Sequence, residues 1–210
     1  MDLHVTSNQQ EFEHRYYYKT DLIRLCRQYH LPTQGTKAEL NHYLRLYLSG
    51  VPVQTIQPAR VVKKRPPLSA DQIHLETKLV GSGFSFNNEA RKWFANYFGV
   101  THFSFKKEMA VIKRRAEAEN DPTMTVGDLI QQLVQNGKTK VSESNPEEQT
   151  YQWNHFVTDF CQSPESRQYH DKLKVASILW QHVKRSPESK RYTAKMVSRF
   201  SDELAPFRIR

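Results

Sequence analysis

Asp71, Glu76 and Lys78 are the residues whose types and spacing come nearest to hydrolytic chemistry. On an extended strand Glu76 and Lys78, two apart, project to one face, and with Asp71 upstream they could hold Mg2+ and a hydrolytic water as metal-dependent nucleases do. Little else supports catalysis. The nine histidines are scattered, with no HExxH, no CxxC and no two His on one helix face near a carboxylate. Gly81 and Gly83 lack a following GKS or GKT, and a third Gly at dinucleotide spacing, so they read as a tight turn and not a phosphate loop. The expectation is no catalytic residue, no metal and no cofactor, with a metal-dependent nuclease as the less favoured reading.

Phosphate recognition is the second chemistry, and here the charge is informative. The chain has 31 Lys and Arg against 22 Asp and Glu, a net charge of +9, which favours polyanions. Residues 1 to 67 hold ten basic and five acidic side chains, whereas 68 to 141 hold ten and eight and 142 to 210 eleven and nine, so the excess sits near the N-terminus. Within it, Lys37, Asn41 and Arg45 recur four apart, stacked on what should be the solvent face of one helix.

The elements that must position these residues lie between residues 21 and 50. Leu22, Leu25, Cys26 and Tyr29 make an apolar stripe at helical spacing, with Arg24, Arg27 and Gln28 on the other side. A second helix begins at a capping box from Thr36 to Glu39 and packs through Leu40, Leu44, Tyr47 and Leu48. The run LPTQGTKAEL, with Leu31, Gly35, Lys37, Ala38 and Leu40 at their spacing after a Leu- and Arg-rich helix, resembles the SAP motif, a helix-extended turn-helix module of many DNA-associated proteins. The match covers about thirty of 210 residues. It implies DNA-backbone contact through Gln34, Gly35, Thr36 and Lys37, flanked by Arg24 or Arg27. A helix N-terminus with free N–H groups, approached over a Gly, suits a phosphate oxygen. The chain departs from the pattern at His30, where a Gly usually ends the first helix, and at Tyr43, where a basic residue often stands.

The remaining organisation is read from punctuation and periodicity. Residues 1–16 form a polar arm and 17–50 the SAP-like module. Residues 51–68 make a basic, Pro-rich linker of extended, poorly packed chain bearing Arg60, Lys63, Lys64 and Arg65, the last three being further candidate DNA contacts. A helical domain follows at 69–140. It opens with a short strand or extended segment in IHLETKLV. Then Asn88 caps a helix presenting Ala90, Trp93, Phe94, Tyr97 and Phe98 to one side, and Gly99 ends it. The next helix, from about Ser104 to Ala118, turns Phe105, Met109, Ile112 and Ala116 inward and Lys106, Lys107, Lys113, Arg114 and Arg115 mostly outward. These two helices read as a plain hairpin, with a DNA-reading helix-turn-helix as the lesser alternative because Glu108 interrupts the apolar pattern. Tyr29, Leu31, Glu39 and Leu40 recur 69 residues later as Phe98, Val100, Glu108 and Met109, either a diverged copy or coincidence.

Thr125 and Asp128 cap a short helix closed by Asn136 and Gly137. In the C-terminal helical region, 141–210, one helix should pack through Trp153, Phe156, Val157, Phe160 and Cys161. A second should pack through Tyr169, Leu173, Ala176, Trp180 and Val183, and the two should pair. Residues 69–210 are similar to regions that follow SAP-like modules in bacterial proteins, a resemblance that supplies no activity. Aromatic stripes at this spacing belong to cores, so Trp93, Trp153 and Trp180 are not assigned to base stacking.

The fold class is therefore mainly α, with at most a short β element. With 38% apolar content, eleven Phe and ten Tyr the chain can bury a core. No run approaches a membrane span or signal peptide, and Cys26 and Cys161 sit on apolar stripes as core thiols, all of which fits a soluble cytoplasmic protein, nucleoid-associated if bacterial. The expected function is non-enzymatic binding of DNA, duplex in preference to single strand, with little sequence preference because backbone contacts do not read bases. A protein-interaction scaffold is the alternative, with residues 69–210 as a possible protein-binding part.

Overall fold

A computed structural model describes residues 9–60, 65–136, 150–186 and 188–209. These residues are mainly helical without a sheet, and their β structure is confined to isolated bridges, Lys78 with Thr125 and Tyr169 with Arg208. The chain divides into two compact units, Met1–Gln57 with Ser144–Arg210 and Pro58–Glu143. The expected closing residue Gly137 and the joint at 138–149 lie outside the described residues.

The first unit begins with α1 (Gln9–His14), α2 (Lys19–Gln28) and α3 (Lys37–Leu48). The apolar stripes of α2 and α3 close on each other over Leu22, Leu25, Cys26, Leu31, Leu40, Tyr43 and Leu44. Tyr43 is buried at 2% exposure, so the position where a basic side chain was looked for is a core position, while Tyr47 and Leu48 are only half-buried. Tyr47 instead stacks on Tyr29, ring centroids 4.7 Å apart. Burial pushes the Cys26 thiol up to about 12, leaving it an unreactive core side chain at neutral pH.

One device ends the first helices. The amides of residues 30 and 31 donate to the carbonyls of Arg27 and Cys26, and those of residues 50 and 51 donate to Tyr47 and Leu46. Both are Schellman closures, which need a left-handed residue after the helix. Gly50 supplies one at φ 88°, and His30 supplies the other at φ 57° despite its Cβ. The departure at His30 is thus a change of residue and not of backbone.

Two features upstream and downstream depart from the expected arm and linker. Phe12 and Tyr17 are buried in the hairpin core, stacked 5.0 Å apart, and Ile56 from the Pro-rich stretch joins them at 5% exposure. The remainder of the unit is built on α7 (Gln152–Gln162) and α8 (Lys172–Val183), which pair as expected, with α9 (Lys195–Arg199) and α10 (Ser201–Leu204) against them. Their core holds Phe156, Phe160, Tyr169, Val175, Ala176, Leu179, Trp180 and Val183. Leu173, expected inward, is 61% exposed. The helix starts only at Lys172, which puts Val175 and Leu179 on the buried side. Tyr16 reaches this core and sets its ring edge-on to Trp180 at 5.0 Å. Tyr16 and Tyr17, neighbours in sequence, therefore enter two different cores.

The second unit carries α4 (Asn88–Phe98), α5 (Lys107–Ala118) and α6 (Val126–Asn136). The cap of α4 is Asn87, whose side chain accepts from the Ala90 amide at 2.9 Å, one residue before the expected Asn88. Thr125 and Asp128 exchange hydrogen bonds at the start of α6 as expected. The segment expected as strand or extended chain is a turn between residues 74 and 77 with a single bridge at Lys78. Gly83, at φ 95°, lies so close to the Pro66 carbonyl that a Cβ would fall 2.2 Å from its oxygen, so that turn requires a glycine.

The expected hairpin of α4 on α5 is not the packing observed, since α5 rests on α6 and α4 on the 3-10 turn Ala70–Gln72. Rings from the connecting loop fill the space between: Phe103 stacks on Phe94 at 4.9 Å and Phe105 meets Phe86 at 5.0 Å. Lys113, expected outward, is largely buried and pairs with Glu117, which also takes the Arg60 guanidinium. No helix among the described residues is long and apolar enough to cross a membrane.

Candidate nucleic-acid interface

The turn before α3 is fixed by its own residues. The Thr36 amide donates to Glu39 Oε2 at 2.5 Å and the Glu39 amide to Thr36 Oγ1 at 3.2 Å, so the capping box is closed. Gly35, at φ 136°, lets the chain pass over that carboxylate, where a Cβ would sit 2.8 Å from Glu39 Oε2. The Thr36 N–H is thereby occupied, as the expected capping box requires.

The candidate residues separate into groups. Thr36, Lys37, Asn41 and Arg45 line one cleft of about 510 Å³ together with Phe12, Arg15, Tyr17 and His42. Arg24 and Arg27 do not line it; they stand exposed one turn apart on the outer side of α2, and Gln34 is exposed in the turn. Arg65 is exposed in the second unit. Lys63 and Lys64 lie outside the described residues.

The cleft is mixed in charge. Arg45 pairs with Glu13 at 3.4 Å across two half-exposed side chains, and Asn41 donates to the Lys37 carbonyl at 2.9 Å. Such an exposed pair is worth little by itself. Arg15 lies 5.4 Å from the Tyr17 ring centroid. Arg15 and Glu13 escape the sequence reading because residues 1–16 read as a polar arm. The aromatics Phe12 and Tyr17, which stack on each other in the hairpin core, are the sign that the segment packs.

Lys37 is the main correction. Instead of facing solvent, its ammonium lies 3.9 Å from the centroid of the half-buried Tyr16 ring. Burial lowers its pKa from 10.5 to about 8, with Asp21 pulling the other way. Below about pH 8 folded and unfolded chains both carry the charge, and the folded one bears its desolvation. Between about 8 and 10.5 the unfolded chain binds more protons, so stability from this group rises with pH across that window. Lys37→Met is expected to gain in urea midpoint relative to wild type at neutral pH, and to lose that advantage as pH climbs through the window. A difference between the two proteins that is constant with pH would show that Lys37 titrates as a solvated lysine.

Two of the nuclease candidates have other partners, and Glu76 is exposed. Lys78 Nζ donates to the Thr123 carbonyl at 3.0 Å, and Asp71 lies in the 3-10 turn Ala70–Gln72, where the Ser69 hydroxyl and its own amide hold its carboxyl below the usual range. Among the described residues no three His, Cys, Asp or Glu are grouped to hold a metal ion. No protein-family model, curated protein or solved structure matches the chain.

Proposed function

We propose that the protein is a non-enzymatic nucleic-acid-binding protein whose α2–turn–α3 hairpin contacts the DNA phosphate backbone, duplex in preference to single strand, with little sequence preference. The observation that carries this reading is the outer side of α2, where Arg24 and Arg27 are exposed one turn apart. The nearby Asp21 carboxylate accepts from the Tyr18 amide at 3.1 Å, so it is drawn to the start of the helix. Gln34 in the SAP-like turn is likewise exposed, and the net charge of +9 gives the long-range attraction. Lys37 supports it less than its position in the turn suggests, since its ammonium is held over Tyr16.

The test is fluorescence anisotropy of the full chain with a random duplex at several salt concentrations. Wild type is expected to bind with a steep salt dependence. Arg24→Gln with Arg27→Gln is expected to lower affinity for every duplex alike, and to reduce the slope of log affinity on log salt by about 0.9 for each contact removed. Both side chains are exposed, so the melting temperature should hold within a few degrees. No binding at low salt, or identical binding by the double variant, would remove the hairpin from this role.

A further inference from the structure

Five apolar residues of α4, spaced as a single packing stripe, do not share one fate. Ala90 and Phe94 are buried, Trp93 is half-buried, and Tyr97 and Phe98 are 47% and 43% exposed. The helix has more aromatic surface than the second unit covers, and Val100, just past it, is 45% exposed. The open rings are held by other rings. Tyr97 lies nearly parallel to Trp93, 5.2 Å away at 13°, and Phe98 nearly parallel to Phe103, 5.4 Å away at 8°. Tyr97 and Phe98 touch edge to face at 5.0 Å. Each open ring thus lies against another ring of the same unit.

Beyond Phe98, on the far side of Phe103, opens a cleft of about 670 Å³, whose lining includes Arg91, Lys92, His102, Asn88 and Asn96 and whose apolar end is Val100 and Phe103. Among the described residues, those lining it include no carboxylate. Lys92 does pair with Glu89 at 2.6 Å, an exposed contact that an incoming phosphate can replace, and Arg91 is aimed by Asn88 Oδ1 at 2.6 Å and by the Phe105 ring. Phe103 joins the two surfaces, lining the cleft while it backs Phe98. Cations and amides beside half-open rings match the two needs of an unpaired nucleic-acid strand, phosphates to be neutralised and base faces to be covered. A duplex keeps its base faces stacked inside and would leave the rings uncovered.

We propose that the α4 face of the second unit is a binding site for single-stranded nucleic acid, with Arg91, Lys92 and His102 on its phosphates and Tyr97 and Phe98 stacking on its bases. This site is separate from the hairpin surface, and neither reading depends on the other.

The experiment is anisotropy of the full chain with labelled oligodeoxythymidine and, separately, with a duplex. It uses wild type, Tyr97→Leu with Phe98→Leu, Lys92→Gln, and the Arg24/Arg27 double variant. Leucine keeps apolar volume and removes the flat π face. Wild type is expected to bind the single strand, the leucine pair about tenfold more weakly, and Lys92→Gln with a shallower salt dependence. The Arg24/Arg27 variant should retain single-strand binding. Should the leucine pair melt well below wild type, Tyr97→Leu alone, at the most exposed ring, decides the matter. Absence of single-strand binding by wild type, or binding unmoved by both Tyr97→Leu and Lys92→Gln, would overturn the proposal. So would a Tyr97-dependent self-association without oligonucleotide binding, which would make the face a protein contact.

Discussion

Trp180→Ala is expected to destabilise the first unit by about 3 to 5 kcal/mol, the range for truncating a buried aromatic side chain. Trp180 is 3% exposed and touches rings on several sides, Tyr16 at 5.0 Å, Phe156 at 5.3 Å and Trp153 at 5.6 Å. Removing it opens a void that rings on separate elements cannot all collapse to fill. The effect should also reach α2 and α3. Tyr16 would lose one of its ring contacts, and the following residues Tyr17 and Tyr18 lead directly into α2. Tyr18 is itself tied to α8's end, accepting a hydrogen bond from Lys184 Nζ at 3.1 Å. Urea unfolding followed by circular dichroism gives the energy, and hydrogen exchange of α2 and α3 amides gives the reach. A variant within about 1 kcal/mol of wild type would contradict the packing around Trp180. Unaltered exchange in the hairpin would show that its core stands without the C-terminal helices.

Leu40→Ala is expected to cost about 2 to 5 kcal/mol and to abolish nucleic-acid binding by the hairpin through loss of its fold. Leu40 is completely buried in the hairpin core, its carbonyl 3.9 Å from the Cys26 sulfur on the facing helix. The contrast with Arg24→Gln and Arg27→Gln is useful. Those changes should weaken binding and leave the melting curve, whereas Leu40→Ala should move both together. A Leu40→Ala protein as stable as wild type would mean that α2 and α3 are not held by this contact.

Much of this was legible where the determining interactions are local. The Thr36–Glu39 and Thr125–Asp128 caps lie within one helical turn, and Gly99 closes α4 at φ 64° as its position implied. Arg24 and Arg27 fell on the exposed side because a period of 3.6 is enough to place them once Leu22 and Leu25 are known to be buried. What failed depended on distant partners. Lys37 looks like a surface lysine until Tyr16, twenty-one residues earlier, is known to lie under it. Tyr16 and Tyr17 diverge because the backbone between α1 and α2 is irregular, so no period assigns their directions. Trp93, Tyr97 and Phe98 obey the helical period, yet periodicity states only which face is apolar. It does not state whether the molecule contains enough matter to cover that face.

The first unit is assembled from both ends of the chain, with residues 58–143 belonging to the other unit. On a ribosome, α2 and α3 emerge before α4 through α6, and α8 appears only after all of these. The continuous unit can complete itself as soon as it leaves the exit tunnel. The Tyr16 ring, by contrast, waits through the synthesis of more than half of the protein for Trp180 to exist. During that interval Tyr16 lacks the Trp180 ring that it meets edge-on in the folded unit. Slowing translation between α6 and α8 should lengthen that interval, and with it the time for which the C-terminal core of the first unit stays incomplete.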